Sequence, residues 1–392
     1  MPLLYTLLSS LIFVAALLIL TWLHTQARMD LVTKPVPAPP GGPLISVLIP
    51  ARNEARNIRR CLQAVLAQDY PNFEVIVVDD RSSDETPAFL AGLSTAEPRL
   101  VVILGKELPA GWAGKPHALY QAAQSAAGEW LCCIDADTFL EPNALSAALA
   151  GARETRADLY TMMTEQLTGT FWEKTVLPLV MTALSVGFSP RKVNDPHKRD
   201  AIANGQFILI KRSVYDAIGG HAAVRDQIVE DKALSELVKW QGYHLVLTNG
   251  YALARTRMYT SLPAMWEGWT KNIFLGLRDH PAMLLLGAFG AFLALMATLF
   301  MPLWPLFGLI WYFTGGGIQA LVILVEALLA WALLLYARAR VARAMHISPW
   351  YALTTPLGAG VFAAMMFTSA WKVLSGRGVS WKGRLYAPRR RP

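Results

Sequence analysis

Long apolar runs lie at both ends of the chain, whereas the middle carries short apolar runs that alternate with amphipathic segments. Residues 3–23 form an uncharged, Leu-rich run of membrane-spanning length, and residues 282–301 and 317–337 are also apolar enough to cross a bilayer. Between roughly Ser46 and Arg257, buried-type strands alternate with helices, as in a soluble α/β domain with a mostly parallel sheet. The pattern therefore predicts an α/β domain between an N-terminal transmembrane helix and a C-terminal helical membrane domain.

The same pattern divides the chain into five predicted segments. They are an N-terminal transmembrane anchor at residues 1–25, a Pro-rich linker at 26–43, a globular domain at 44–275, a membrane domain at 276–375 and a basic tail at 376–392. No basic region precedes the first apolar run and no small-residue cleavage pattern ends it, which favours an uncleaved anchor over a signal peptide. Arg28 and Lys34 follow this run, so we expect an integral protein of the cytoplasmic (inner) membrane with its globular domain in the cytosol.

A third apolar run, residues 350–371, is followed by a strongly basic end of the chain. From residue 372 onward there are seven Lys or Arg residues and no acid. Arg338, Arg340 and Arg343 already mark a return to the inside before this run, so a full crossing would leave the basic tail outside. We therefore predict that residues 350–371 form a re-entrant or interfacial segment.

Composition supports a membrane protein and argues against a nucleic-acid partner. Hydrophobic residues make up 54% of the chain, charged residues 16%, and the mean hydropathy is +0.34. The formal net charge is +8, but the excess is concentrated in the C-terminal tail, as in the cytosolic segments of membrane proteins. Cys61, Cys132 and Cys133 lack metal-ligand spacing and fit a reduced, cytosolic setting.

Acidic residues follow two of the predicted strands. One strand ends in Asp79 and Asp80, and an apolar run of strand length is followed by Asp135 and Asp137. The carboxyl ends of parallel strands meet at one edge of a sheet, where α/β proteins bind ligands. In strand geometry Asp135 and Asp137 point the same way and could share one divalent cation, with substrate phosphate and water as further ligands. The alternative is an N-cap and a turn residue, because Asp is common where strands stop.

A loop rich in Gly and Pro, residues 108–117, lies between these two acidic strand ends and carries Trp112 and Lys115. In such a loop, backbone amides and an ammonium group can approach a diphosphate closely. The alternative is a surface loop with a packed Trp112. Further along, residues 170–188 are apolar on most faces and contain Pro178, which fits either an interfacial helix that receives a lipid acceptor or ordinary packing.

Taken in order, five motifs resemble those of family 2 inverting glycosyltransferases of the GT-A type. The motifs are Pro50-Ala-Arg-Asn-Glu54, Val77-Val-Asp-Asp80, Gly111-Trp-Ala-Gly-Lys115, Asp135-Ala-Asp137 and Glu230-Asp231. The resemblance covers most of residues 44–275 and implies a Rossmann-like GT-A domain. Within the family, Gly-Trp-x-Gly-Lys and the helical C-terminal part most resemble the lipid-modifying branch of chlorobactene and other carotenoid glucosyltransferases and hopanoid-associated enzymes.

The resemblance implies a nucleotide-sugar donor, for which we expect a UDP-sugar, and Mg²⁺ or Mn²⁺ as a cofactor. Asp135 and Asp137 would hold the cation, and Lys115 would lie near the diphosphate of the donor. The implied donor-binding residues, some of them near the base and ribose, are Pro50, Arg52, Glu54, Asp79, Asp80, Lys115 and Asp135.

Glu230 and Asp231 begin a predicted amphipathic helix. Acids are favoured in the first turn of any helix, which is the structural alternative for this pair. By the resemblance the pair is the catalytic Glu-Asp motif. Asp231 is then the general base that accepts the proton of the acceptor hydroxyl.

The resemblance also implies an acceptor side, whose residues are Gly205, Gln206, His221, Trp266 and Trp269. Residues 266–272 stand where processive family members carry Gln-x-x-Arg-Trp, but the sequence here is Trp-Glu-Gly-Trp-Thr-Lys-Asn. This departure argues against processive polymer synthesis. Trp266 and Trp269 could equally be interfacial anchors beside the first C-terminal span.

We therefore expect a metal-dependent, inverting glycosyltransferase that moves a sugar from a nucleotide-sugar donor to the hydroxyl of a membrane lipid, either a hydroxylated carotenoid or other terpenoid, or a glycerolipid. A sugar–phosphopolyprenol synthase would use the same donor site with a phosphate acceptor that needs little help from a base. A processive polysaccharide synthase and a non-enzymatic membrane scaffold are the remaining alternatives. A scaffold would be expected to lack some of the acidic positions, and all of them are present.

Overall fold

The computed structural model describes residues 2–27, 29–39, 41–277, 281–301, 303–375, 379–381 and 384–386. Apart from two short strands, the predicted basic tail at 376–392 lies outside these residues, as does Arg28. The chain forms two compact units. The α/β unit comprises Met29–Leu167 and Phe188–Met258, and the helical unit comprises Met1–Arg28, Thr168–Gly187 and Tyr259–Pro392.

The strands are short and most of them are buried. In chain order they are β1 Ile45–Ala51, β2 Phe73–Asp79, β3 Leu100–Leu104, β4 Trp130–Cys133, β5 Thr138–Leu140, β6 Leu159–Met163, β7 Glu165–Gln166, β8 Ile208–Lys211, β9 Leu245–Asn249, β10 Ala254–Thr256, β11 Val379–Trp381 and β12 Arg384–Tyr386.

The helices divide between the two units, with the long apolar ones in the helical unit. In chain order they are α1 Pro2–Ala27, α2 Ile58–Leu66, α3 Thr86–Ser94, α4 Gly114–Ser125, α5 Ala144–Glu154, α6 Phe171–Gly187, α7 Pro190–Asn194, α8 Arg212–Ala217, α9 Gly220–Ala223, α10 Glu230–Trp240, α11 Leu262–Leu277, α12 Pro281–Phe300, α13 Leu303–Trp311, α14 Gly317–Ala344 and α15 Thr355–Leu374.

The α/β unit is built on a seven-stranded sheet in the order β3-β2-β1-β4-β8-β6-β9. The strands β1 to β4 run parallel, whereas β8 is antiparallel to both of its neighbours. Both faces of β1 are covered, because Val47 and Ile49 pack into one core cluster with α2 and α5, and Leu48 packs into a second with α4 and α10. Burial on both faces explains why this strand reads as a continuous apolar run. The predicted mostly parallel α/β fold is confirmed.

A second, three-stranded sheet in the order β5-β10-β7 extends the α/β unit. The strand β10 pairs antiparallel with β5 and parallel with β7. This small sheet begins immediately after Asp137, so it supports the far side of the turn that carries Asp135 and Asp137.

The predicted Pro-rich linker is only partly a free spacer. Val32 forms a parallel bridge with Asn249 at the end of β9, and Thr33 N donates to Asn249 O over 2.9 Å. The Thr33 hydroxyl also hydrogen bonds with the phenol of Tyr160 at 2.7 Å. The segment therefore covers the edge of the large sheet, where an uncovered strand would expose unpaired backbone groups.

The helical unit contains two segments that the sequence assigns to the globular domain, residues 168–187 and 259–275. The helix α6 packs against α15, α1 and α14, and a Cβ on Gly358 would lie 2.5 Å from the carbonyl oxygen of Thr175. The predicted boundary at 44–275 therefore differs from the packing, which places residues 168–187 with the apolar helices. The physical reason is that α6 is apolar on most faces and needs apolar partners on more than one side.

Two stretches of the described residues are long and apolar enough to cross a membrane, judged by length and composition alone. They are Leu303–Ala344 and Pro349–Leu374. The first contains a wide turn at Tyr312–Gly316, and α13 folds back on α14 so closely that a Cβ on Gly308 would lie 2.9 Å from Leu324 Cα. The sequence predicted a connection at residues 302–317, and α13 within it was missed.

The predicted re-entrant segment at 350–371 has a simpler backbone than we expected. A 3-10 turn at Pro349–Thr354 leads into α15, which continues for 20 residues without a break. Pro356 is tolerated because it lies in the first turn, where its missing N–H has no helical partner to bond. A continuous helix of this length meets the criterion for a span, and whether it crosses a bilayer stays a prediction.

Two serines of α1 bind a carboxylate on α14 within the helical unit. Glu326 is the only charged residue in the sequence from 281 to 337. Ser9 Oγ donates to Glu326 Oε2 over 2.6 Å, and Ser10 Oγ donates to Oε1 over 2.5 Å. Each carboxylate oxygen thus has its own hydroxyl donor, which fixes the register of α1 along α14.

We expect the double variant Ser9→Ala/Ser10→Ala to lose about 1–3 kcal/mol of unfolding free energy, because it leaves the Glu326 carboxylate without these two donors. Adding Glu326→Leu should recover most of that loss, since removing both sides of a polar contact is far less costly than removing one. Denaturation in detergent measures both effects. Thr21→Ala is the matched control, because the Thr21 hydroxyl donates to Leu17 O within its own helix. Equal losses in the double and triple variants would contradict this assignment.

Candidate active site

The predicted acidic strand ends meet at one edge of the large sheet. Asp79 is the last residue of β2, Asp80 follows it, and both side chains are buried. Ser82 N donates to Asp79 Oδ1 over 3.1 Å, so the chain turns sharply around this carboxylate. Gly105 approaches so closely that a Cβ would lie 3.0 Å from Asp79 O.

The loop after β1 is tied to the loop after β2. Arg52 Nη1 donates to the Asp80 carbonyl oxygen over 2.7 Å. Asn53, at a left-handed φ of 53°, donates its N–H to Ser82 and accepts from Ser83 N. Glu54 N donates to Thr86 Oγ1, and Glu54 Oε2 accepts from Asn57. Pro50, the first residue of the motif, is the penultimate residue of β1. The predicted donor residues of the first two motifs thus form one cross-linked surface.

Lys115 lies between two predicted functional acids. It is the second residue of α4, and its Nζ is 2.7 Å from Asp135 Oδ1 and 2.7 Å from Glu230 Oε1. The structure therefore brings together three motifs that are far apart in the sequence. Trp112 packs on the rings of His117 and Tyr120, as in the alternative for this loop. The approach of Lys115 to a diphosphate stays a prediction.

The charges in this cluster depend on one another. Burial raises the pKa of Glu230 to about 7, although the ammonium of Lys115 opposes the shift. Burial acts against the charge of Lys115, but the attraction of Asp135, Glu230 and Asp231 outweighs it and raises the Lys115 pKa well above its usual value. The ammonium is therefore fully charged at neutral pH and compensates the acids around it.

Asp231 is oriented by backbone groups. Its Oδ2 accepts from Gly205 N over 2.9 Å, its Oδ1 accepts from Lys232 N over 2.7 Å, and the side chain stays partly exposed. A Cβ on Gly205 would lie 2.8 Å from Asp231 Oδ2 and 3.0 Å from Lys115 Nζ. Gly205 is thus the residue whose lack of a side chain lets Asp231 and Lys115 approach the same backbone.

Asp135 and Asp137 do not lie in a strand, contrary to our prediction. The strand β4 ends at Cys133, and the two acids lie in a turn that is closed by a 3.0 Å bond from Thr138 N to Asp135 O. The Thr256 hydroxyl donates to the Asp137 carbonyl oxygen over 3.2 Å and fixes the turn against β10. The expectation that Asp135 and Asp137 point the same way because they lie in a strand therefore does not support a shared cation.

The acids of this turn nevertheless suit a hard divalent cation. Within the described part of the chain, no group of three or more His, Cys, Asp or Glu side chains is arranged to hold a metal ion alone. Mg²⁺ usually binds through one or two carboxylates plus substrate phosphates, and oxygen ligands of this kind also suit Mn²⁺. A pair such as Asp135 and Asp137 fits that mode of binding.

Gln206 belongs to a hydrogen-bonded network that sequence analysis largely missed. Its Oε1 accepts from the Thr164 hydroxyl and, over 3.2 Å, from Gln166 Nε2. Asn204 is not part of the predicted motifs. Its backbone N–H donates to Thr161 Oγ1, and its side-chain amide donates to Met162 O. The network holds the backbone on both sides of Gly205. The signal available in the sequence was the polar run Ala203-Asn-Gly-Gln206 before an apolar strand.

Of the remaining predicted acceptor-side residues, one is buried inside the α/β unit and two belong to the helical unit. His221 is 1% exposed, its Nδ1 is 2.9 Å from the Tyr215 hydroxyl, and burial lowers its pKa to about 3. The ring is neutral and enclosed in the core, so the predicted acceptor-side role of His221 gains no support from its position and stays a prediction. Trp266 and Trp269 lie on α11 of the helical unit, where Trp269 packs edge-on against Tyr259. Their acceptor role stays a prediction.

The fold is that of a GT-A type α/β domain. A mannosyltransferase from Pyrobaculum calidifontis, solved in complex with GDP-Man and Mn²⁺, has the same fold, with a TM-score of 0.54, 19% identity, and coverage of 95% of this chain and 99% of that one. Residues 46–219 match the family model of Glycosyl transferase family 2. This segment contains four of the five predicted motifs, so the match supports the predicted family 2 glycosyltransferase domain there.

The relatives found among curated proteins include the 4,4'-diaponeurosporenoate glycosyltransferases of Staphylococcus aureus strains MRSA252 and USA300. Each is 29% identical over 236 residues, which is 59% of this chain and 61% of the relative. The match thus spans about three-fifths of the length of these curated relatives.

We expect Gly205→Ala to lower turnover by about 10²-fold, because the new Cβ displaces the carboxylate of Asp231 and the ammonium of Lys115. Both displaced groups are ends of side chains, so the melting temperature should change little. Gly92→Ala on α3 is the control, since its Cβ would meet nothing within 4 Å. Full activity of Gly205→Ala would show that the close approach of these groups is irrelevant to turnover.

Proposed function

We propose that this protein transfers a sugar from a nucleotide-sugar donor to the hydroxyl of a membrane lipid, with Asp231 as the general base. The observation that carries the proposal is the arrangement of Asp231. Its carboxylate is held by Gly205 N, stays partly exposed, and lies beside the ion pair of Lys115 with Glu230 and Asp135. A partly exposed, oriented carboxylate next to a cation is suited to accept a proton during attack on an activated sugar.

The donor is a nucleoside-diphosphate sugar in this proposal, with a UDP-sugar as the first candidate. Asp79, Asp80 and the Arg52 loop would bind the base and ribose, because they form one rigid surface at the sheet edge. Lys115 would contact the diphosphate, since its ammonium is the cation at the centre of the acidic cluster. The mannosyltransferase of the same fold is described with GDP-Man, which is a donor of the same chemical class.

Asp135 and Asp137 would hold Mg²⁺ or Mn²⁺ together with the donor phosphates. The same mannosyltransferase is described with Mn²⁺, and the carboxylates of this chain are the ligands that such ions prefer. When bound, the cation would neutralise charge on the departing diphosphate. Two residues of the chain contribute the other steps. Asp231 takes the proton of the acceptor hydroxyl, and Lys115 stabilises negative charge on the phosphate oxygens.

A single displacement by the acceptor oxygen inverts the anomeric centre in this proposal. The bond between the acceptor oxygen and the anomeric carbon forms as the bond from that carbon to the diphosphate oxygen breaks, and the hydroxyl proton moves to Asp231. An α-linked donor would therefore give a β-glycoside. Glu230 is buried and paired with Lys115, so Asp231 is the acid that an acceptor can approach.

The acceptor is a lipid alcohol, with a hydroxylated carotenoid or hopanoid as the first candidate and a diacylglycerol-type lipid as the second. Two observations support this choice. The helical unit carries long apolar helices with many exposed large hydrophobic side chains, which suits a bilayer. The curated relatives are named for 4,4'-diaponeurosporenoate, which supports a carotenoid-type lipid but, being a carboxylate, does not support a hydroxyl as its reacting group.

The proposed setting is the cytoplasmic membrane, with the α/β unit on the cytosolic side. Arg338, Arg340 and Arg343 near the end of α14 support this orientation through the positive-inside tendency. The cysteines Cys61, Cys132 and Cys133 are free and buried, which fits a reducing compartment.

We expect Asp231→Asn to lower kcat by about 10²–10⁴-fold with a lipid alcohol as acceptor, because the amide cannot accept the proton. Glu236→Gln on the same helix is the control and should retain turnover, since Glu236 pairs with Lys232 one turn away on α10. A phosphate or carboxylate acceptor is already ionised and needs no base. If Asp231→Asn still transfers sugar to polyprenyl phosphate or to a carotenoid carboxylate, the proposed lipid alcohol is wrong and that ionised lipid is the acceptor class.

We expect the purified enzyme to transfer labelled sugar to detergent-dispersed lipid alcohols and not to water-soluble sugars or peptides. The physical reason is that an acceptor held at the membrane surface keeps its chain out of water, where exposure costs about 0.8 kcal/mol per methylene. Thin-layer separation of lipid and aqueous products measures the partition. Efficient transfer to soluble acceptors with none to any lipid would contradict the proposed acceptor class.

A further inference from the structure

The two carboxylate partners of Lys115 differ in their access to solvent. Both lie 2.7 Å from the ammonium nitrogen, but the side chain of Asp135 is 28% exposed and that of Glu230 is 4% exposed. Glu230 begins α10 and is enclosed by the α/β core, whereas Asp135 lies in the open turn after β4. The ammonium thus joins one interior acid and one acid that solvent can reach.

This difference decides which ion pair can be exchanged. Removing the ammonium from a carboxylate as deeply buried as Glu230 strongly destabilises the folded protein, because no other positive charge or water replaces it. Asp135 can give up the ammonium, because water or a cation can take its place. The Lys115–Glu230 pair is therefore the permanent contact, and the Lys115–Asp135 pair is the exchangeable one.

We propose that Glu230 is a positioning residue that holds Lys115 throughout turnover, while the arriving nucleoside diphosphate and its cation displace Lys115 from Asp135. This inference deepens the proposed function and rests on it. Before the donor arrives, Lys115 neutralises Asp135 and blocks cation binding there. Once phosphate oxygens engage the ammonium, Asp135 is released toward the cation, and the ammonium stays anchored on Glu230.

The arrangement around the ammonium supports a fixed anchor. An ammonium group has three hydrogen-bond donors, and two of them point to Asp135 and Glu230. Gly205 closes another side, since a Cβ there would lie 3.0 Å from Nζ. Movement away from Asp135 toward incoming phosphate keeps the Glu230 contact, whereas movement away from Glu230 would strand a buried carboxylate. The role of Glu230 in this account is to place Lys115, and the proton goes to Asp231.

A direct test measures Mn²⁺ binding by electron paramagnetic resonance and UDP binding by calorimetry in the full-length protein. In the unaltered protein Mn²⁺ alone should bind weakly, and UDP should raise its affinity at least tenfold. Lys115→Gln should tighten binding of Mn²⁺ alone at least fivefold, because Asp135 loses its competing ammonium, and should weaken UDP binding. Glu230→Gln should leave binding of Mn²⁺ alone weak and should weaken UDP binding more than tenfold, because Lys115 then stays on Asp135.

Tighter binding of Mn²⁺ alone by Lys115→Gln, together with weaker UDP binding, separates exchange from a loss of structure, which would weaken both measurements. The double variant Lys115→Gln/Glu230→Gln removes both charges of the buried pair and should also bind Mn²⁺ alone more tightly than the unaltered protein. It covers the case in which Lys115→Gln fails to fold. Lys198→Gln, at an exposed lysine, is the control for net charge. If neither variant lacking Lys115 binds Mn²⁺ alone more tightly, the exchange is overturned. If Lys115→Gln binds Mn²⁺ alone more tightly but binds UDP as well as the unaltered protein does, the exchange holds and the proposed diphosphate contact of Lys115 is contradicted.

Discussion

The site depends on the compensation of several acids by one ammonium group. Lys115 at the start of α4 contacts Asp135 in the turn after β4 and Glu230 at the start of α10. These segments are far apart along the chain. Without the ammonium of Lys115, the sheet edge would carry several carboxylates that repel one another. The same contact places Asp231 beside the backbone of Gly205. One ion cluster therefore fixes both the diphosphate end and the base end of the proposed reaction.

The position of the acidic residues at one sheet edge was predictable, because it follows from the alternation of strands and helices along the chain. Short apolar strands alternating with helices give a parallel sheet, and the carboxyl ends of such strands converge. Asp79, Asp80 and Asp135 were expected at that edge for this reason, and the structure places them there. The motifs and their order indicated a family 2 domain, and the family model matches at residues 46–219, which contain four of the five motifs.

Features that depend on close packing between distant residues were not predictable. The burial of His221 against Tyr215 follows from how α8 and α9 fold together, and no periodic pattern reports it. The contact of Glu326 with Ser9 and Ser10 joins residues more than 300 positions apart. The packing of α6 with the apolar helices was open for the same reason, since an apolar segment specifies that it needs partners and does not specify which ones.

The central claim is that the Lys115 cluster is the diphosphate end of the donor site, and a structure of the full-length protein with UDP and Mn²⁺ tests it most directly. The account predicts phosphate oxygens within hydrogen-bond distance of Lys115 Nζ, with Lys115 still bonded to Glu230 and Asp135 turned toward the ion. A diphosphate bound elsewhere on the α/β unit, with Lys115 still paired to Asp135, would contradict it.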